Sequence, residues 1–187
     1  MELIPVKTTD PYYAEAERLM TDAFPPEERR PLERQRQYTD HNPLFHPQVV
    51  VENGTFAGLF NYWILDGFLY GEHLATCPHL RGGGLGRGIL DAFIRQAGQP
   101  IVLEVEPPTT DIAARRIGFY RRCGFCLWEH RTYMQPPYAA DLSPLPLLLM
   151  VHGDLDEEKD FERICHEIHT KVYGWQGGKL EPESPYK

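Results

Sequence analysis

Four glycines fall within five residues in Leu80-Arg81-Gly82-Gly83-Gly84-Leu85-Gly86-Arg87. The preceding residues, Phe68 to Thr76, read as a strand. Those that follow, Leu85, Ile89, Leu90, Phe93 and Ile94, lie on one stripe at helical spacing. The chain must therefore pass here from strand through a tight, nearly side-chain-free loop into an amphipathic helix. Glycines let backbone come close to a ligand, and unpaired N–H groups at a helix start attract anionic oxygens. The loop is not a dinucleotide fingerprint, because Gly-x-Gly-x-x-Gly with an acidic residue about 20 positions later is not matched. It is not a P-loop either, since no Gly-Lys-Ser/Thr follows.

The rest of the chain predicts an α+β domain around one mixed, mostly antiparallel sheet. Residues 2 to 8 suit a short edge strand, with Pro5 compatible only with an edge. Asp10-Pro11 is expected to open a helix, with Ala16, Leu19, Met20 and Ala23 on one face. The block from Glu27 to Arg36 holds four arginines and three glutamates and reads as a solvated, salt-bridged face. Strands from Gln48 to Phe60 turn at Glu52-Asn53-Gly54-Thr55, and Asp66-Gly67 extends them into a meander. Downstream come a strand at Ile101 to Glu106, a helix at Ala113 to Tyr120, a strand at Phe125 to Met134 and an apolar strand at Leu145 to Val151. Asp154 and Glu157 suggest a capped helix carrying Phe161, Ile164, Cys165, Ile168 and Val172, ended by Gly174. Residues 175 to 187 read as a frayed tail.

Composition narrows the function. The 187 residues are 42% hydrophobic and 25% charged, which is ordinary for a globular chain. A formal net charge of −8 argues against a nucleic-acid partner or an anionic membrane surface. No apolar run is long enough to span a bilayer, no secretory signal is apparent, and the four cysteines do not form a disulfide scaffold. A cytoplasmic location is expected. Cys123-Gly124-Phe125-Cys126 follows a helix rather than preceding one, which disfavours a redox pair, and it has no second ligand pair for zinc. His166 and His169 lie one turn apart on the last helix, and a solvated face is the expectation. No metal is expected.

Arg81-x-x-Gly84-x-Gly86, after a strand ending Leu-Ala-Thr, resembles the acyl-CoA pyrophosphate motif of the GNAT N-acetyltransferase superfamily. Ala114-x-x-Ile117-x-Phe119-Tyr120-Arg121-Arg122-Cys123-Gly124-Phe125 resembles its second signature, and the strand Leu103-Glu104-Val105-Glu106 between them fits. Together the matches cover about residues 68 to 126. The chain departs from the pattern in a longer, Pro-Thr-rich stretch between Glu106 and Ala113, and in the acidic helix near 154 to 173. The resemblance implies a GNAT-type domain over residues 1–151, with splayed central strands, and a C-terminal helix and tail over 152–187.

The resemblance also implies roles. Gly82, Gly83, Gly84 and Gly86 would cradle the pyrophosphate of acetyl-CoA, with Arg81 and Arg87 adding positive charge. The strand edge at Leu74 and Thr76 would pair with the pantetheine arm, and an N–H near Leu74 would serve the oxyanion. Tyr120 is the expected general acid. The base is expected to be one of two carboxylates, Glu72 or Glu104. Strand alternation puts Glu72 on the face of Leu74 and turns His73 away. The expected reaction moves an acetyl group to a primary amine of a small molecule or peptide by direct attack; homodimerisation is left open. The alternative is a catalytically silent CoA-binding module acting through its C-terminal helix. Tyr38, His41, Phe45, Tyr133 and Tyr138 are expected near the acceptor.

Overall fold

The computed structural model describes residues 1–177 and 180. It consists of two compact units, Met1–Ile101 and Val102–Lys187. Among the described residues there are eight strands and five α-helices, in the α+β order read from the sequence.

The first unit is a four-stranded antiparallel meander of β1 (Glu2–Pro5), β2 (Phe45–Glu52), β3 (Thr55–Leu65) and β4 (Phe68–Thr76). Asn53 and Gly54 both take positive φ (51° and 76°), as the two-residue β2–β3 hairpin requires. Helix α1 (Tyr13–Ala23) buries Ala16, Leu19 and Met20 with Val49, Val51, Leu59 and Ala75 of the sheet. It starts three residues after Asp10, because the Asp10 side chain bonds back to the Lys7 N–H instead of capping. On the opposite face, Phe93 of α3 (Leu85–Ala97) packs edge-on against Phe60, with ring centroids 4.6 Å apart. Helix α2 (Leu32–His41) starts within the charged block and buries Gln35 and Thr39.

The second unit takes in all but the first residue of β5 (Ile101–Val105), followed by α4 (Asp111–Arg122), β6 (Cys126–Leu127), β7 (Tyr133–Gln135), β8 (Leu145–His152) and α5 (Glu157–Glu167). Strand β8 lies between β5 and β6 and also pairs with β7, the β6 and β7 pairings being antiparallel. The single strand expected from Phe125 to Met134 is thus two short ones. Between them Trp128 is buried near Phe161, and the His130 and Arg131 amides bond to the Glu157 carboxylate. Glu157 is therefore no capping-box partner of Asp154. Asp156 caps α5 instead, accepting from the Glu158 and Lys159 N–H groups. The stripe Phe161, Ile164, Cys165, Ile168 and Val172 is buried as expected. The helix widens into a π turn over Ile168–Val172 and ends at Gly174, φ 68°. Of the tail expected to fray, residues 178, 179 and 181–187 lie outside the described residues.

Candidate active site

The glycine loop runs from the end of β4 to α3. Gly82 and Gly84 both have φ 83°, a left-handed conformation that side chains other than glycine adopt with strain. Gly84 is the residue preceding the first turn of α3, and its carbonyl already accepts the Gly88 N–H at 3.0 Å. The first-turn amides of a helix have no intrahelical acceptor, so the loop ends on a set of N–H groups and the positive end of the helix dipole. The segment from Arg81 to Gly84 is exposed. Arg87 is exposed too and makes an ion pair with Asp91, four residues on. This surface can hold a polyanion through backbone amides and two arginines. Leu74 and Thr76 sit half-buried on β4, in register with Phe60 and Gly58.

Glu72 departs from the expectation of strand alternation. Asn61 pairs with His73 but Tyr62 pairs with Gly71, leaving Glu72 as an extra residue in a β-bulge. The extra residue brings Glu72 beside His73, with Nδ1 of His73 3.6 Å from its carboxylate, and not to the face of Leu74, which opposes Phe60 beneath α3. The Glu72 side chain is 1% exposed and forms an ion pair with Arg30, which is itself fully buried. The Trp63 indole N–H donates to the same carboxylate at 2.9 Å. The Arg30 guanidinium packs over aromatic rings, 5.0 Å from the Trp63 centroid and 5.1 Å from that of Tyr38. Burial alone would raise the Glu72 pKa, but the Arg30 charge, His73 and the hydrogen bonds outweigh it and bring it down to about 2. His73 is pushed down by burial, and its Nε2 meets the Glu28 carbonyl at 2.9 Å.

The charged block is thus not simply a solvated face. Arg29, Arg34 and Arg36 are at least partly exposed, whereas Arg30 turns inward. Composition shows no sign of this. The one available signal was Glu72, the single carboxylate in β4, which needs a cation if buried.

In the second unit, Tyr120 occupies the last turn of α4. Gly124, φ 88°, closes the helix: its N–H bonds to the Arg121 carbonyl at 3.0 Å, and the Phe125 N–H reaches the Tyr120 carbonyl at 3.1 Å. This is a Schellman motif, and its usual apolar contact is the Tyr120–Phe125 ring pair at 5.8 Å. The Tyr-x-x-x-Gly-Phe spacing therefore has a physical cause: the glycine ends the helix, and the buried phenylalanine pins the tyrosine ring. Burial raises the Tyr120 pKa, so the phenol carries its proton at neutral pH.

Glu104 is on β5, half-buried. The Tyr133 hydroxyl donates to one of its oxygens, and the Tyr173 hydroxyl to the other at 2.7 Å. Tyr173 follows the π turn after α5, and its ring lies tilted against that of Tyr138, centroids 4.7 Å apart. Tyr133 and Tyr138, both expected near the acceptor, thus lie in one cluster with Glu104 and with Tyr173, which sequence reasoning did not single out. A buried aromatic immediately before the helix-ending Gly174 was the readable hint. Cys123 is buried, Cys126 exposed, and both are free thiols. Among the described residues no group of three or more His, Cys, Asp or Glu side chains could hold a metal.

The Acetyltransferase (GNAT) family model matches residues 12–125. The chain belongs to the GNAT acetyltransferase family. GNAT membership makes it an acyltransferase and accounts for acetyl transfer as its general chemistry. Among solved structures it is similar to a candidate GNAT-family acetyltransferase from Bacteroides thetaiotaomicron, with 46% identity, TM-score 0.90, and coverage of 94% of this chain and 100% of that one. More distant GNAT folds include the ribosomal-protein-S18-alanine N-acetyltransferase of Escherichia coli, at 19% identity and TM-score 0.57, covering 83% of this chain and 96% of that one. A GNAT acetyltransferase from Elizabethkingia anophelis with acetyl-CoA bound shares 13% identity at TM-score 0.57, covering 82% and 97% of the two chains. No curated protein sequence matches. No helix among the described residues is long and apolar enough to cross a membrane.

Proposed function

We propose that this GNAT enzyme transfers the acetyl group of acetyl-CoA to the primary amine of a small molecule by direct attack. The observation that carries the reading is the exposed segment from Arg81 to Gly84, whose left-handed glycines lead into the first turn of α3. Backbone amides around Gly82, Gly83, Gly84 and Gly86 bind the pyrophosphate, Arg81 and Arg87 add charge, and the edge at Leu74 and Thr76 receives the pantetheine arm.

An aliphatic amine has a pKa of about 10.4 and arrives protonated, so it must lose a proton before its lone pair can attack. Glu104 takes this proton, directly or through a water, and the two tyrosine hydroxyls on its oxygens fix its orientation. The amine nitrogen then bonds to the thioester carbonyl carbon, and a β4 backbone N–H near Leu74 steadies the oxyanion. When the tetrahedral intermediate collapses, the C–S bond breaks and Tyr120 gives its proton to the departing thiolate. The products are an amide and free CoA thiol. Glu72, bound to Arg30 within the first unit, acts as a positioning residue that holds the β4 bulge.

The test is release of free CoA thiol from acetyl-CoA on addition of primary amines. Amine-dependent release that Tyr120→Phe abolishes supports the reading. Binding of acetyl-CoA with no turnover for any amine would favour a silent CoA-binding module.

A further inference from the structure

The second unit contains a cavity of about 910 Å³, lined by residues from 130 to 180, all beyond the segment that the family model matches. Its walls include Tyr133 and Met134 of β7, Phe161 and Cys165 of α5, His169 of the π turn, and Trp175. Cavities of about 300–1,000 Å³ suit small ligands. Tyr133 links it to the chemistry: this residue belongs to the cavity lining, and its buried hydroxyl bonds to Glu104.

We infer that this cavity, built by the helix appended to the family core, is the acceptor pocket, and that it takes a small primary amine with an aromatic body. The inference rests on the reaction proposed above. The side chains set the class. Arg131 and Glu162 pair at 3.5 Å, so the formal charges among the lining residues cancel. The Arg131 guanidinium also covers the Phe161 ring at 5.7 Å. Burial pushes the His169 pKa down and leaves the imidazole neutral, tilted on the Tyr133 ring at 5.4 Å. A polyamine would need several unpaired carboxylates along its length, and the lining residues supply only Glu162, already paired. The aromatic residues Tyr133, Phe161 and Trp175 in the lining favour a flat ring.

The test compares 2-phenylethylamine and tryptamine with spermidine and an alanine-initiated tripeptide, in turnover and in calorimetric binding to CoA-loaded enzyme. Trp175→Ala is expected to raise KM for the aryl amines at least tenfold, leaving KM for acetyl-CoA unchanged. Phe161→Leu, a milder change in the same wall, is expected to raise it severalfold. Preference for spermidine or the peptide, an unchanged aryl-amine KM in both variants, or no aryl-amine binding would overturn the inference and leave acetyl transfer standing. Failure of the wild type to bind acetyl-CoA would instead strike the proposed function itself.

Discussion

Arg30→Ala is expected to destabilise the protein by about 3–5 kcal/mol, since it leaves the Glu72 carboxylate buried without its cation. Denaturant unfolding of the two proteins checks this. The double variant Arg30→Met/Glu72→Leu removes both charges and should regain most of the loss, as replacing a buried ion pair by apolar side chains is often neutral. If the double variant is as unstable as the single one, the loss comes from packing between Arg30 and the Trp63, Tyr38 and Phe45 rings. The pH dependence follows from the same cluster. Glu72 has a folded pKa of about 2, below its unfolded value of about 4.3, so its contribution is full above the unfolded value and is lost as pH falls toward 2. His73 is also depressed when folded, so stability falls further as pH drops through its unfolded value of about 6.5. Both groups make the fold lose stability in acid, and Arg30→Met/Glu72→Leu should flatten the part of the profile below pH 5.

Tyr120→Phe and Glu104→Gln should each lower kcat by about a hundred- to ten-thousand-fold, the usual range for removing one proton-transfer group. The two effects should differ with pH. Glu104→Gln removes the group that accepts the ammonium proton, so raising the pH, which deprotonates the amine in solution, should restore part of its rate. Tyr120→Phe removes the proton given to the thiolate, so acetyl thioesters with more acidic leaving thiols should restore part of its rate, and high pH should not. Acetyl-CoA affinity should change little in either variant. Removing Tyr173, which holds Glu104 through one hydroxyl, should cost less than removing Glu104. Steady-state rates between pH 6 and 10 separate these cases.

Local features of the fold were readable wherever backbone chemistry specifies them. Asn53-Gly54 demands a hairpin, and the glycines at 82 and 84 demand a left-handed loop before an amphipathic helix. Gly124-Phe125 demands a helix end that locks Tyr120 in place. The buried stripe of α5 was legible from its 3.6-residue period. Hidden features depended on contacts distant in sequence. Arg30 meets Glu72 across 42 residues and Tyr173 meets Glu104 across 69, and no local pattern encodes either. The bulge at Glu72 is also tertiary in origin: one inserted residue overturns a two-residue period. Hence neither the two tyrosine hydroxyls on Glu104 nor the ion pair that holds Glu72 could be read from strand periodicity.

The central claim is that the loop from Arg81 to Gly86 binds the acetyl donor, and a thermal melt with and without acetyl-CoA tests it most directly. At about 100 times Kd the ligand should add about 2.7 kcal/mol of stability to the wild type, a shift of several degrees. In Gly84→Glu a Cβ would meet nothing within 4 Å, so the protein should fold with modest backbone strain but place a carboxylate where the pyrophosphate must sit. The account predicts a shift in the wild type that disappears in Gly84→Glu. An equal shift in both proteins, or none in the wild type at millimolar acetyl-CoA, would contradict it.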